Sequence, residues 1–447
     1  MKKFVSLLLT AVLLCTVLTV FAVPAFADIA PGMIIRVYEG NEIIYADYDK
    51  SWDSIFSEMK TKCYSDWKGK TSLRCEIELN REFTVDSLYY CSNLPMPITL
   101  NLHGKTLVLN YGDYWELDYS LTINGDGGTI KNTRSGDEYN CSILVNSGKL
   151  DVSDATIDGF KTNMKYPIFA MGNDCQDASF SNCTFKNCSS TNYGGAICME
   201  ETNNLDIICC TFDSCSSYYG GAVYLEDIIN NSTFDTLYVK DSTFTGCSAY
   251  YGGAIYIEDN CAGYDDGGDR YTQNFCFYKS SITGCKATYD GGGIYIDCEE
   301  GHLKGNISLI LEISSCQAGR YGGGIFSDGY QNDTTSVNIS GCKAQYGGGI
   351  YMADDGQDLN KMTIQNCAAK KEGGAYYAEY KISFNGCTFK HNSPSDGNAT
   401  GSVLSEGSLT IVVGIAAAVV FGLGGFILGT KKKKKPALAG DENKDEE

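Results

Sequence analysis

The chain has 447 residues, among them 50 glycines, 31 tyrosines and 21 cysteines, and a formal net charge of −20. High glycine with high tyrosine and only 7 prolines argues against collagen and disorder and for an all-β chain with many tight turns. An acidic surface repels phosphate backbones, which argues against a nucleic-acid partner.

In chain order, residues 1–27 read as an export signal. Lys2 and Lys3 precede an apolar run from Phe4 to Val20, and Ala25-Phe26-Ala27 is a small-residue cleavage site. The mature chain is expected to start near Asp28. Cys15 is lost with the signal, so 20 of the 21 cysteines remain. An even number in an exported chain permits a disulfide framework without requiring one.

Residues 28–80 read as a cap. Ile34–Val37 and Ile43–Tyr45 flank Glu39-Gly40-Asn41, a hairpin signal. Trp52, Ile55, Phe56 and Met59 then fall at helical spacing. Short alternating strands follow, such as Ile98–Leu102 and Leu121–Asn124. No helix-length periodicity appears from about 65 to 405, which excludes a doubly wound α/β fold.

Residues 81–392 carry tandem repeats. Seven segments begin at Cys188, Cys215, Cys247, Cys285, Cys316, Cys342 and Cys367. Each runs four or five residues to Gly-Gly-(Ala/Gly), then an apolar residue and, except at Cys198, an aromatic one. Three residues before each Cys stands Phe or Ile: Phe185, Phe212, Phe244, Ile282, Ile313, Ile339 and Ile364. Cys-to-Cys steps of 25 to 38 residues suit one solenoid coil plus inserted loops.

These motifs resemble the Gly-Gly-Ala-Ile and Phe-x-x-Asn repeats of chlamydial polymorphic outer membrane proteins and related bacterial surface proteins. The resemblance covers roughly residues 95–395. Ile98–Leu107 also looks like the first coil of pectate-lyase-like surface proteins. The likeness implies a right-handed parallel β-helix, often an adhesin. Here Cys replaces the family's Asn at seven positions and Asn392 restores it. In place of the family's C-terminal barrel stands an apolar segment.

That segment, Leu409–Gly429, is long enough to span a bilayer as a helix. Lys431–Lys435 follow it and place the C-terminus, residues 430–447, in the cytoplasm. Residues 393–408 form a polar stalk. The expected location is the cell membrane, single-pass, with the ectodomain outside. The wall-sorting motif Leu-Pro-x-Thr-Gly does not precede the span.

Strand alternation sorts the repeat into columns. Ile197, Val223, Ile255, Ile294, Ile325 and Ile350 point inward. Three columns are expected to point outward. One is small: Ala196, Ala222, Ala254, Gly293, Gly324, Gly349 and Ala375. One is aromatic: Tyr224, Tyr256, Tyr295, Phe326, Tyr351 and Tyr377. One is acidic: Glu200, Glu226, Glu258, Asp297, Asp328 and Glu379. The aromatic column is either a platform for sugar rings or a peptide, or a ladder that stabilises the sheet. Stacked carboxylates repel, and a divalent cation would relieve them, so Ca²⁺ is the one cofactor the pattern raises. Asp265, Asp266 and Asp269 in an inserted loop are a second candidate Ca²⁺ site, and Asp354, Asp355 and Asp358 a third. The Cys column is either cross-linked between coils or a buried ladder of thiols. Cys261 and Cys276 bracket one inserted loop and are the disulfide candidate.

No catalytic set stands out. His103, His302 and His391 lack a nucleophile motif, and paired carboxylates occur throughout the acidic column, so they single out no site. The expected function is a membrane-anchored adhesin or interaction protein that binds a glycan or a partner protein. The alternatives are a polysaccharide lyase or hydrolase, and a passive surface spacer.

Overall fold

One repeat contributes three or four strands of a few residues each, too little to bury an apolar face alone. Stacking solves this. A computed structural model describes residues 31–399 apart from 49, 86–93, 111–113, 133–141, 160–165, 201–203, 227–236, 260–274, 299–307, 329–333, 354–357 and 395–396. It shows an all-β parallel solenoid. Past the N-terminal hairpin, each described strand pairs in parallel with its equivalent in the next coil.

The cap has the expected parts. β1 (Met33–Glu39) and β2 (Glu42–Tyr48) form an antiparallel hairpin. β1 also pairs with β3 (Leu73–Leu79), which leads in parallel to Ile98–Asn101. Helix α1 (Trp52–Tyr64) starts where the Ser51 side chain accepts from the Ser54 N–H, with Asp53 in its first turn and Lys62 in its last. Its Trp52, Ile55, Phe56, Met59 and Cys63 are buried. Trp52 meets the buried Trp115 edge-on at 5.5 Å, which closes the first end of the core. A bare end would offer core and unpaired backbone to other chains.

Three inward columns make the main core. Phe185, Phe212 and Phe244 stack face to face at 4.7 and 4.6 Å, and Ile282, Ile313, Ile339 and Ile364 continue the line. Ile197, Val223, Ile255, Ile294, Ile325 and Ile350 form a second column, as expected, and Tyr376 ends it. Leu121, Leu150, Ala178, Leu205 and Leu237 belong to the third. Tyr376, Phe384 and Phe389 pack together at the C-terminal end of the core.

The corner before each column cysteine needs a left-handed residue. Asn187, Ser214, Ser315 and Asn366 take φ near +55° there, and Gly246, Gly284 and Gly341 do so without strain. The cysteines that follow are fully buried free thiols. Each Sγ faces the carbonyl of the Phe or Ile one coil earlier, at 3.6 to 4.0 Å. In the last coil Asn392 occupies the same slot with full hydrogen bonds. Its Nδ2 donates to the Ile364 carbonyl at 2.9 Å, and its Oδ1 accepts from the Cys367 N–H at 2.9 Å. The cysteines thus hold the place of an asparagine ladder as small, weakly bonding groups. A second corner uses Cys183, Cys210, Ser242 and Ser280 likewise. There Ser242 Oγ donates to the Ile207 carbonyl at 3.2 Å and accepts from the Cys210 N–H at 3.0 Å.

Of the two readings of the column, the thiol ladder is the one observed. Adjoining thiols and burial push Cys215, Cys247 and Cys342 well above the usual thiol range. Thiolate is the reactive form. All seven column cysteines are also closed off from solvent, so the expected result of alkylating native protein is modification at the exposed Cys209 and protection of the seven until denaturant is added. Mass spectrometry reads this directly. A disulfide between column cysteines in native protein would refute it.

Among the described residues no helix is long and apolar enough to cross a membrane. The stalk is expected over residues 393–408, but Gly397–Ala399 within it is a strand paired in parallel with Tyr376–Ala378. The rest of that stretch past Ala399, the expected export signal and the apolar segment Leu409–Gly429 lie outside the described residues.

Candidate functional site

The feature that sets this solenoid apart is an elbow at each Gly-Gly. The first glycine takes positive φ, as at Gly252 (+63°). The second leaves no room for a side chain: a Cβ on Gly253 would sit 2.1 Å from the Gly292 carbonyl oxygen. The elbow breaks strand alternation. Strands resume only at Ile197, Val223, Ile255 and their equivalents. The small column therefore faces inward, not outward. Ala196, Ala222, Ala254 and Ala375 are fully buried in the main core, and a Cβ on Gly293 would meet the Ile313 and Ile282 methyls. The expected surface groove does not exist.

The aromatic column does point away from the main core, yet it is not surface. Tyr224, Tyr256, Tyr295, Phe326 and Tyr351 are 1% to 7% exposed, and Tyr377 is half-buried. They form a second apolar cluster with rings stacked 4.4 to 5.6 Å apart. What covers them is the tyrosine just before the Gly-Gly of the preceding coil. Tyr193 lies on Tyr224 at 4.5 Å, Tyr219 on Tyr256 at 5.1 Å, Tyr251 on Tyr295 at 5.6 Å, Tyr321 on Tyr351 at 4.4 Å and Tyr346 on Tyr377 at 5.3 Å. The ladder reading of the inner column is therefore the one observed, and the platform is a different set of rings. Beside this outer layer Tyr218 and Tyr250 stack at 4.5 Å, Tyr289 continues at 5.7 Å, and Tyr250 is 43% exposed.

Two coils depart from the outer layer. Glu372 replaces the tyrosine at the last Gly-Gly, in register with Tyr346, and Asp290 replaces it within the stack, in register with Tyr251. The Arg320 guanidinium fills the gap, 4.5 Å from the Tyr289 ring and 5.6 Å from that of Tyr321. Its Nη2 and Nε donate to Asp290 at 2.5 and 3.2 Å, and the Tyr321 N–H donates at 3.0 Å. The ring above this gap is Phe326, the inner column's one residue without a hydroxyl.

The acidic column is half-buried at most positions, with Glu379 exposed. Its tolerance of like charges has a source other than a metal. Tyr224 Oη lies 2.8 Å from Glu226 and 2.9 Å from Glu258, and Tyr256 Oη 3.5 Å from Asp297. Tyr351 pairs in the same way with Glu379. Burial and the Glu258 and Glu226 carboxylates push the Tyr224 phenol far above its usual range, so it remains a neutral donor. Among the described residues no three His, Cys, Asp or Glu side chains converge as a metal site. Tyr224→Phe is expected to cost about 1–2 kcal/mol, because two partly buried carboxylates lose their shared donor. Urea unfolding at neutral pH measures it. Equal stability of the variant would mean the hydroxyl does not hold the column.

Asp265, Asp266 and Asp269, with Asp354 and Asp355, lie outside the described residues, as does Cys261. Cys276 is buried in a strand beside Tyr238. Sequence reasoning missed the outer tyrosines and the lysines of the adjoining sheet. The signal was present, since five of the seven Gly-Gly pairs follow a tyrosine. The chain matches no known family profile, and no curated protein and no solved structure is significantly similar to it.

Proposed function

We propose that this chain is a surface-displayed interaction protein. It is exported by residues 1–27, held at the membrane by Leu409–Gly429, and binds a glycan or partner protein through the outer face of the elbow. The observation that supports this most is the second layer of tyrosine. Nothing in the core requires Tyr218, Tyr250 and Tyr289, yet they form a stacked, partly exposed strip flanked by charge. Tyrosine is favoured at contact surfaces because it adds large, stiff area with a polar tip.

The test is a glycan and protein binding panel probed with the full chain in detergent. Tyr218→Ala plus Tyr250→Ala is compared with Tyr119→Ala, an exposed tyrosine outside the strip. Binding lost only in the double variant supports the reading. No ligand, or binding unchanged by the double variant, defeats it.

A further inference from the structure

We propose that the partner of the elbow face is a second copy of this chain, running parallel to the first about a two-fold axis along the solenoid. This rests on the reading of the elbow as the contact face and names what meets it.

The charges on that face are sorted. Before the elbow lies a five-stranded parallel sheet formed by Ser248–Tyr251, Lys286–Asp290, Gln317–Ala318, Lys343–Tyr346 and Ala368–Glu372. In a chain of net charge −20, this sheet exposes Lys286, Lys343, Lys370 and Lys371, and Glu372 is its one exposed carboxylate. Asp290 is buried against Arg320. None of the four lysines is ion-paired to a described residue. The upstream column beside them is uncharged over these coils: Thr283, Ser314, Ser340 and Gln365. After the elbow come Glu226, Glu258, Asp297, Asp328 and Glu379. The tyrosine strip runs between the two columns.

Such a face is complementary to itself in one orientation. Two copies face to face, related by an axis along the solenoid, set each acidic column against the partner's basic one. An axis across the solenoid sets acid on acid. The two columns share one pitch, about 4.8 Å per coil, because they come from the same coils. Asp297 and Lys286 belong to one coil, and Glu379 belongs with Lys370 and Lys371, so both pairs meet without a shift along the axis. The tyrosines come to the centre and the charges to the rim, the usual anatomy of an interface. The parallel orientation also suits two chains held at their C-termini in one membrane. A nucleic acid is a poorer fit. Lys286 and Lys343 lie two coils apart, roughly 10 Å by the coil spacing, whereas a nucleic-acid strand carries a charge about every 3.4 Å.

The experiment uses full-length protein in detergent, with mass read by sedimentation over a range of concentration. Dimers that weaken as salt rises are expected. Carbodiimide treatment of mixed light and heavy-isotope protein should join Lys286 to Asp297 and Lys370 or Lys371 to Glu379 between copies. Two charge-reversed variants complete the test. One carries K286E, K343E, K370E and K371E; the other D297K, D328K and E379K. Circular dichroism checks that both keep the β fold. Each alone should self-associate roughly a hundredfold more weakly or less, since like charges now oppose, and their mixture should pair again. A monomer at all concentrations overturns the proposal, as does a dimer indifferent to both reversals or an antiparallel cross-link pattern. A monomer that loses a glycan or protein ligand on reversal would keep the face and change the partner. A monomer with no such ligand would remove both.

Discussion

Gly253→Ala is expected to cost about 3 kcal/mol or more and to split unfolding into two steps. The added Cβ would stand 2.1 Å from the Gly292 oxygen and 2.8 Å from the Lys286 backbone. All of these are backbone atoms of the next coil, so no side chain can swing away. The coil must move, and with it the bonds from Gly253 N to Gly291 O at 2.9 Å and from Ala254 N to Gly293 O at 2.9 Å. Overpacking a well-filled interior typically costs about 1–3 kcal/mol, and rigid neighbours push it to the upper end. Because solenoid stability is a sum over neighbouring coils, damage at one junction uncouples the coils on either side. Gly284→Ala is the control. It has the positive φ, +65°, that Gly253 lacks, and nothing within 4 Å of its Cβ. It should lose only the left-handed penalty, roughly 1–2 kcal/mol. Urea unfolding followed by circular dichroism separates the two. A loss at Gly253 no larger than that at Gly284 would show that the close approach of the next coil carries little of the expected cost.

Arg320→Ala is expected to cost about 3 kcal/mol. Asp290 has a side chain only 5% exposed and would keep a single donor, the Tyr321 N–H. Removing one partner of a buried pair typically costs about 3–5 kcal/mol. The lower figure applies because the Arg320 side chain is itself 42% exposed. Burial already pushes the Asp290 carboxyl up, against the pull of Arg320. A raised folded-state value means the folded protein takes up the proton more readily than the unfolded one. The deficit of Arg320→Ala should therefore shrink as pH falls through the carboxyl range, when the acid is buried neutral. The repeat also predicts a rescue. Asp290→Tyr with Arg320→Gln restores the outer ring and places at 320 the residue that Gln345 supplies one coil on, so stability should return to within about 1 kcal/mol of the parent. A double variant as weak as Arg320→Ala alone would show that the pair is more than a patch for a missing ring.

Much of this architecture is legible in local pattern. The period of two places Ile197, Val223 and Ile255 inward, and the Phe-x-x-Cys run marks a corner, because Asn, Ser and Gly accept the left-handed backbone just before the cysteine. The spacing of Trp52, Ile55, Phe56 and Met59 marks the capping helix. The same period of two misplaces Ala196 and its column, since it was extended across a Gly-Gly turn where no strand runs. Tyr256 illustrates a different limit. Alternation states correctly that it leaves the main core, but its burial depends on Tyr219, which is 37 positions earlier in the numbering and reaches it through the coil stack. Side-chain exposure is set by contacts between coils, and a strand pattern carries no information about those. The acidic column has the same lesson: its repulsion was visible, and the phenols that relieve it were not.

The two-layer elbow and its contact face both depend on which tyrosines meet solvent. The most direct measurement is tyrosine nitration with peptide mapping, on native full-length protein at a dilution that keeps it monomeric and again at high concentration. Tyr224, Tyr256, Tyr295 and Tyr351 should stay unmodified at both concentrations. Tyr250 should react readily when dilute, with Tyr218 and Tyr289 after it, and all three should become protected when concentrated. Rapid nitration of Tyr256 and Tyr295 in folded protein would contradict the two-layer elbow, and a Tyr250 that reacts equally at every concentration would contradict its role as the contact face.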